Sequence, residues 1–143
     1  MTHEQIFQLS NTLALAGWLL LLIVPYWKWT ARITTGVVIT ILSALYMALF
    51  FSSLNPSDFQ NFRSLEGLMG LFGSSGAVLV GWVHYLAFDM MVGQFIVDNA
   101  AKHGVNRYII IPCLLLTFMA GPTGLVLYYI IRTVRTRRYF EPS

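Results

Sequence analysis

The sequence has little charge. Asp, Glu, Lys and Arg make up 10% of its 143 residues and hydrophobic residues make up 57%, whereas soluble domains contain about 25% charged and about 45–50% apolar residues. A soluble domain of this length could not bury so much apolar surface, because small domains leave much of their surface in contact with solvent. The composition therefore predicts a single-domain membrane protein over residues 1–143.

Cysteine and histidine are also scarce. The one cysteine, Cys113, excludes an internal disulfide and is expected to act as a packing residue. The three histidines are too few for a histidine-rich di-iron site or for a haem held by two histidines of one chain. Phosphate-binding loops, Ser-His-Asp order and paired cysteine motifs are absent from the sequence as well. We therefore predict no metal and no cofactor.

Long apolar windows are present instead, and there are four of them. A helix needs about 20 apolar residues to cross a hydrocarbon core of about 30 Å, and each window is long enough. The loops between them are short, so neighbouring helices are expected to be antiparallel. The sequence predicts an all-α membrane protein with four transmembrane helices, which cover about residues 6–24, 33–51, 75–103 and 108–131.

An amphipathic segment, residues 57–73, separates the second and third windows. Its apolar side chains recur at steps of three and four residues, namely Phe59, Phe62, Leu65, Met69 and Phe72. This period is typical of an amphipathic helix, and we expect the helix to lie in the membrane interface between transmembrane helices 2 and 3. The segment is either a packed connector or a lid over a lipid-facing pocket.

The chain ends set the expected orientation. The N-terminus lacks the basic region and cleavage site of a signal peptide, so the first helix is expected to be retained. It also lacks a transit-peptide-like composition, which favours a bacterial inner membrane. Four spans would place both termini on one side, and the C-terminal arginines favour the cytoplasmic side. These arginines are Arg132, Arg135, Arg137 and Arg138.

The same arginines bear on the expected partners. They follow an apolar segment directly, so we expect them to anchor the chain against anionic lipid headgroups rather than to bind nucleic acid. Membrane lipids are therefore predicted partners and nucleic acid is not, while a homo-oligomer is left open.

Two ionisable residues interrupt the third window, in the stretch GWVHYLAFDMM. Ionisable side chains inside a membrane are costly and are candidates for function. His84 and Asp89 are five residues apart, roughly 140° around an ideal helix, so they do not pair directly. Since charge is costly in hydrocarbon, we expect a neutral imidazole and a neutral carboxylic acid. Asp98 and His103 lie nearer the interface, where water or headgroups can solvate them.

One face of the same helix collects a stripe of side chains at steps of three and four residues. The stripe consists of His84, Phe88, Met91, Phe95 and Asp98. At a rise of 1.5 Å per residue, His84 and Asp98 mark the two ends of a stripe about 21 Å long.

The fourth window contains the stretch FMAGPTGLVLYY, with Gly121, Pro122 and Gly124 near its middle. Pro122 cannot donate a backbone hydrogen bond and so frees the carbonyl of Phe118. Broken helices are tolerated at membrane depth where the backbone packs on protein or lines a cavity. Either a tightly packed kink or a cavity wall is therefore expected. Candidate partners for the acidic side chains follow on the same segment, namely Thr117, Tyr128 and Arg132.

These two segments carry a family resemblance. The sequence resembles the abscisic-acid-deficient-four proteins, a family of small membrane proteins that includes plant neoxanthin synthase. The family pattern is a W-x-H-x-x-x-x-D core on one span, followed by a proline-initiated span with a central G-P-x-G and a terminal arginine. The matching residues here are Trp82, His84 and Asp89, then Pro112, Gly121, Pro122, Gly124 and Arg132.

The resemblance implies an integral membrane protein associated with the isomerisation of an epoxy-carotenoid, violaxanthin to neoxanthin, without net electron transfer. Our own hypothesis for the catalytic residues is that Asp89 protonates the epoxide oxygen while His84 removes a proton from the polyene. Whether the chain is an enzyme is left open. The predicted binding site for an apolar isoprenoid ligand comprises Trp82, Phe88, Asp98, Gly121, Pro122, Gly124, Tyr128 and Arg132.

Three other readings stay open. The first is a non-enzymatic membrane protein that binds a lipid or pigment or assists an enzyme, and it predicts bound ligand without turnover. The second is a small proton-coupled transporter that uses the same His84 and Asp89, although the chain lacks repeated halves. The third assigns both side chains to hydrogen bonds between helices, so that Asp89→Asn lowers stability only.

Overall fold

The structure is a computed structural model that describes residues 1–53, 55–137 and 139. Its described residues form helices and no strand. The helices are α1 (His3–Ile23), α2 (Thr30–Ile33), a π-helix (Thr34–Ile39), α3 (Thr40–Ser53), a 3-10 helix (Pro56–Arg63), α4 (Leu65–Leu71), α5 (Ser75–Lys102), α6 (Arg107–Ala120) and α7 (Pro122–Thr136).

Three helical segments of the described chain are long and apolar enough to cross a membrane. They are α1, the continuous run Thr30–Ser53, and α5. Large apolar side chains point outward from each of them, for example Leu19, Ile41 and Phe88. Such side chains are stable on a surface that faces lipid, because lipid tails are as apolar as the side chains themselves. The membrane class and three of the four predicted spans are therefore confirmed.

A short π-helix links α2 to α3 and faces the middle of the bundle. Thr34 Oγ1 hydrogen-bonds to the carbonyl of Thr30 at 2.8 Å and to Oε1 of Gln94 on α5. Thr40 Oγ1 donates to the carbonyl of Thr35, five residues earlier, at 2.9 Å. The irregular turn thus brings a threonine hydroxyl to a buried amide on the neighbouring helix.

The predicted fourth span over 108–131 is wrong as a single helix. It is divided at Gly121, whose φ of 34° and ψ of −97° fit neither α6 nor α7. A positive φ is cheap only for glycine. Pro122 then occupies the first turn of α7, where a proline has no backbone hydrogen bond to lose. The Gly-Pro pair therefore ends one helix and begins another.

The two helices run in opposite directions. α6 begins near the C-terminal end of α5, where the N–H of Val105 donates to the carbonyl of Ala100 at 2.9 Å. It ends where the carbonyl of Phe118 faces the Tyr85 hydroxyl at 3.4 Å. α6 is therefore antiparallel to α5 and stops at the level of its middle.

α7 returns along α5 toward the end from which α6 came. Gly121 lies beside Asp89, and the Tyr129 ring lies 6.2 Å from that of Phe95. Further along, Nη1 of Arg132 donates to Oδ1 of Asn99 at 3.0 Å. Increasing numbers on α7 thus meet increasing numbers on α5, and α6 and α7 form a helical hairpin.

Gly124 allows the hairpin to close. A Cβ at this position would collide with the Thr117 side chain and backbone and with the carbonyl of Cys113. Small residues let helix backbones approach in this way. The 14 residues of α6 extend about 21 Å at 1.5 Å per residue, less than a hydrocarbon core of about 30 Å. α6 alone is therefore too short to cross such a core.

The amphipathic segment is two short helices rather than one helix over 57–73. The 3-10 helix and α4 meet at Ser64, whose backbone is extended, with φ −143° and ψ 152°. Its hydroxyl accepts a hydrogen bond from the N–H of Gly67 at 3.0 Å and so caps α4. A serine that satisfies a free backbone donor in this way favours a new helix start.

The two termini lie at opposite ends of the bundle. Nδ1 of His3 lies 3.0 Å from Oγ of Ser75, the first residue of α5, whereas Arg132 near the end of α7 reaches Asn99 near the other end of α5. We name these the Ser75 end and the Lys102 end. The prediction that both termini lie on one side is therefore wrong, because the hairpin returns α7 to the side where α6 started.

Candidate functional site

His84 lies on an exposed face of α5 among aromatic rings. Its imidazole stacks on Phe88, with ring centroids 4.5 Å apart and planes 26° apart. The ring of Tyr46 on α3 also contacts the imidazole, with its centroid 5.3 Å away. The imidazole therefore contacts rings of two spanning helices.

The same imidazole lines a cavity of about 200 Å³ between α3, α5 and the segment that joins them. Tyr46 and His84 are the residues of its wall whose side chains carry polar groups. The cavity is lined by Tyr46, Phe50, Phe62, Leu71, Phe72, Ala77, Val80, Gly81 and His84. Pockets for small ligands are commonly apolar with a few polar groups that fix orientation, and this wall has that character.

The amphipathic segment supplies one wall of the cavity. Phe62 of the 3-10 helix, Leu71 of α4 and Phe72 line the cavity together with His84. Phe59 also contacts the Phe62 ring, with centroids 6.2 Å apart. Both expectations for this segment, a packed connector and a lid, are compatible with this position.

Asp89 lies on another face of α5 and is buried, with 7% of its surface exposed. Its neighbour is the turn of the hairpin, since a Cβ on Gly121 would lie 2.6 Å from Oδ1 of Asp89. The Tyr85 hydroxyl, one helical turn earlier, also interacts with this carboxyl group. Among the described residues, none hydrogen-bonds to Oδ2 of Asp89. The carboxyl group also sits at the N-terminal end of α7, where the helix dipole attracts negative charge.

The structure therefore brings Asp89 and Gly121 together but does not bring His84 and Asp89 together. The angle between them on α5 directs His84 to α3 and Asp89 to the hairpin, as helical geometry requires. Asp89 is not part of the wall of the aromatic cavity. An acid–base pair of these two side chains in one pocket is not formed in this arrangement.

A second cavity, of about 320 Å³, lies toward the Lys102 end of α5, on the face that carries His84. Gln94 Nε2 donates to Oδ1 of Asp98 at 2.8 Å, and Gln94 Oε1 accepts from the Thr34 hydroxyl. The wall of this cavity is more polar than that around His84 and comprises Thr35, Met91, Gln94, Phe95, Asp98, Asn99 and Lys102. Asp98 is thus placed at the opposite end of the stripe from His84.

Tyr128 and Arg132 belong to a buried polar cluster that fixes α7 to α5. Oδ1 of Asn99 accepts from the Tyr128 hydroxyl at 2.6 Å and from Nη1 of Arg132 at 3.0 Å. The guanidinium of Arg132 also lies over the Tyr129 ring, 4.9 Å from its centroid. All three polar side chains are at least 96% buried. They hold the returning arm of the hairpin rather than line the cavity at His84.

Trp82 faces α1. Its Nε1 donates to Oδ1 of Asn11 at 2.8 Å, and its ring lies 5.6 Å from that of Phe7. Pro122 begins α7 and Gly124 is packed against α6. These predicted ligand-binding residues therefore join helices, and Phe88 is the one that contacts His84.

Sequence reasoning missed several residues of the site. Tyr46 and Phe72 lie on neighbouring elements whose register against α5 no sequence pattern fixes. Gln94 and Asn99, however, have a signal in the sequence, because amides in an apolar helix are costly to bury without partners. Within the part of the chain that the structure describes, no group of three or more His, Cys, Asp or Glu residues could hold a metal ion.

These features define a small all-α integral membrane protein with an aromatic cavity on its third spanning helix. Within that class, the chain belongs to the ABA4-like family, whose model, described as ABA DEFICIENT 4-like, matches residues 5–128. This match confirms the family resemblance and fits a membrane protein related to neoxanthin synthase. No curated protein and no solved structure matches the chain significantly.

Proposed function

We propose that the chain binds an elongated isoprenoid, of the carotenoid type, with one end group in the aromatic cavity beside His84. The observation that carries the proposal is the cavity itself, with its aromatic wall and one imidazole. A ring-shaped apolar end group fits such a wall, because aromatic side chains provide large rigid contact surfaces. The amphipathic segment lies at the membrane interface and covers the bound end group.

The rest of the ligand lies along the stripe of α5. Along this stripe Phe88, Met91 and Phe95 are 50%, 47% and 41% exposed, and the last two line the second cavity. At 1.5 Å per residue the stripe extends about 21 Å from His84 to Asp98, which suits an extended chain rather than a compact molecule. A polar group at the far end of the ligand would meet the Gln94 and Asp98 side chains.

The reaction that this site supports is isomerisation of an epoxide end group. The imidazole of His84 removes a proton from the polyene carbon, and the released electron pair forms a new double bond as the epoxide C–O bond breaks. The Tyr46 hydroxyl donates a proton to the departing oxygen and regains one from His84, so no atoms or electrons are gained or lost. Tyr46 takes the acid role here because it shares the cavity with His84, whereas Asp89 does not.

Binding is tested by blocking the cavity. The protein is purified from bacterial cells that make violaxanthin, and bound pigment is measured by absorbance and mass spectrometry. Gly81→Leu places a side chain in the cavity, where a Cβ would lie 2.9 Å from the movable Phe72 ring, and should abolish pigment retention. Gly36→Ala is the control, because a Cβ there meets nothing within 4 Å. Equal pigment on both variants would contradict the proposed site.

Turnover is tested in the same cells by chromatography of the pigments. Wild-type protein should produce neoxanthin, and His84→Gln and Tyr46→Phe should retain pigment but lose at least about 100-fold in rate, the usual scale of acid–base catalysis. Asp89→Asn should convert pigment normally if it remains folded. Full activity of His84→Gln, or loss of activity in a folded Asp89→Asn variant, would overturn this assignment.

A second candidate is binding without turnover. The observation that favours it is the separation of Asp89 from His84, which leaves the cavity without a carboxylic acid. In that case the wild-type protein retains violaxanthin, the pigment remains unchanged, and Gly81→Leu still abolishes retention. We also propose that the chain resides in a bacterial inner membrane, and recovery of the native protein in that membrane fraction would support this location in either case.

A further inference from the structure

Basic residues are sorted to one end of the bundle. Of the nine Lys and Arg residues in the sequence, seven lie toward the Lys102 end, namely Lys28, Arg32, Lys102, Arg107, Arg132, Arg135 and Arg137. Arg63 lies at the Ser75 end together with Glu4, Asp58 and Glu66. Arg138 lies outside the described residues. Among the described residues, the Lys102 end thus has seven basic residues against one acidic residue, Asp98, and is strongly basic, whereas the Ser75 end is acidic.

The helical hairpin produces this asymmetry. A single continuous fourth span would carry the C-terminal arginines to the Ser75 end and would divide the basic residues almost equally. Because the chain reverses at Gly121, the arginines of α7 instead return to the end where Lys28 and Arg107 lie. The charge bias is thus a property of the fold and is hidden in the linear sequence.

Aromatic side chains accompany the basic residues at this end. The Tyr26 hydroxyl donates to the carbonyl of Val105 at 2.6 Å and joins the loop after α1 to the loop after α5. The Arg32 guanidinium lies 5.0 Å from the centroid of the exposed Trp29 ring. Tyr and Trp are enriched at the level of lipid headgroups. This rim therefore has the composition of a membrane–water interface.

We propose that the chain crosses the membrane three times, with its N-terminus outside the cytoplasm, and that the Lys102 end binds anionic phospholipid headgroups of the cytoplasmic leaflet. Cytoplasmic segments carry an excess of Lys and Arg, and the cytoplasmic leaflet attracts them through its anionic lipids. This orientation does not depend on the ligand in the aromatic cavity. It also places the start and the end of the α6–α7 hairpin on the same, cytoplasmic side.

Cysteine accessibility tests the orientation. In a Cys113→Ala background, which removes the one native cysteine, single cysteines replace Thr2, Gln60, Trp27 or Thr136 in bacterial cells. A membrane-impermeant maleimide added to intact cells with a permeable outer membrane should label the first two positions and leave the last two unlabelled until the cells are lysed. Labelling of Thr136→Cys together with Thr2→Cys would overturn the hairpin topology. Labelling of Trp27→Cys but not Thr2→Cys would overturn the orientation.

Lipid retention tests the headgroup site. The protein is equilibrated with vesicles of equal phosphatidylglycerol and phosphatidylcholine, purified again in mild detergent, and its bound lipid is identified by mass spectrometry. Wild-type protein should retain phosphatidylglycerol severalfold over phosphatidylcholine, and the combined variant Lys28→Gln, Arg32→Gln, Arg107→Gln and Arg135→Gln should lose this preference. Arg63→Gln at the Ser75 end is the matched control. Equal retention of both lipids by the wild-type protein would contradict the proposed site.

Discussion

The two halves of α5 pack against their neighbours through different kinds of side chain. The half toward the Ser75 end faces α3 and the amphipathic segment through large rings, and an aromatic cavity remains beside His84. The half toward the Lys102 end faces the hairpin and α1 through small residues, for example Gly93, where a Cβ would lie 2.8 Å from the Trp18 ring. Buried hydrogen bonds at Asn99 then fix the contact.

Because of this difference, one half of α5 carries a candidate ligand site and the other half holds neighbouring helices in place. Rigid rings cannot fill every space between diverging helices, so a cavity remains that an apolar molecule can enter. Small residues allow backbones to approach, and buried polar groups then require defined partners because their unpaired state is costly. Polar side chains on α5 therefore have two roles: His84 lines a cavity, and Asn99 attaches α7 to α5.

The largest expected effect comes from opening the hairpin. Gly124→Leu should destabilise the protein by more than about 3 kcal/mol, because overpacking already costs about 1–3 kcal/mol and the side chain here would meet backbone atoms of α6. Thermal unfolding and size-exclusion chromatography in mild detergent measure the effect. The control Gly70→Ala should be close to neutral, since a Cβ there meets nothing within 4 Å. A stable Gly124→Leu protein would contradict the closed hairpin.

The next effect concerns the buried attachment of α7. Asn99→Leu removes the shared acceptor of the Tyr128 hydroxyl and Arg132 and should cost about 2–3 kcal/mol, the scale for buried hydrogen bonds to charged groups. Tyr128→Phe removes one of these bonds and should cost about 1 kcal/mol. Unfolding in mild detergent ranks the two variants. If Tyr128→Phe proves the more damaging, Asn99 is not the centre of the cluster.

The aromatic half should respond in the opposite way. Gly81→Leu fills part of a cavity and meets the end of the Phe72 side chain rather than backbone, so its cost to stability should be about 1 kcal/mol, the low end of the cost of overpacking. Ligand retention should nevertheless be lost. Unfolding curves and bound pigment are measured on the same sample. A cost as large as that of Gly124→Leu would show that the two halves of α5 are packed alike.

The smallest effect is expected at the loop contact of Tyr26. Tyr26→Phe removes the hydrogen bond to the carbonyl of Val105 and should cost about 1 kcal/mol or less. Burial raises the pKa of the Tyr26 hydroxyl above its ordinary value of 10.0. The neutral hydroxyl is the donor, so its contribution is complete below pH 10 and is lost as the pH rises through the raised pKa.

Unfolding in mild detergent at neutral pH and at a series of pH values above 10 tests this contact. The wild-type protein and Tyr26→Phe should converge in stability at high pH. A difference that persists unchanged there would contradict this sign.

Much of the fold could be predicted from composition and length. Apolar windows long enough for a bilayer predicted α1, the run Thr30–Ser53 and α5, because hydrocarbon requires every backbone group to be paired within the segment. The W-x-H-x-x-x-x-D and G-P-x-G patterns identified the family. The prediction for the fourth window was wrong in its path. Composition detects that a segment is apolar but not that it turns back half-way.

The candidate site was less accessible to sequence reasoning. The stripe from His84 to Asp98 followed from helical periodicity, and its members do share an exposed face. The partners of that stripe lie on other helices, and their identity depends on how those helices are rotated and shifted. The tertiary structure therefore adds Tyr46 and Phe72 to the site and places Asp89 outside the cavity.

The sequence by itself determined a membrane protein, the family, three of the four predicted spans and an interruption around Gly121 and Pro122, because these depend on apolar length and on local backbone conformation. Tertiary structure alone decided that α7 returns along α5, that basic residues collect at one end, and that His84 and Asp89 serve different neighbours. These outcomes depend on contacts between residues far apart in the chain, such as Arg132 with Asn99 and Tyr46 with His84. No local pattern encodes which of several polar or aromatic side chains will meet across two helices.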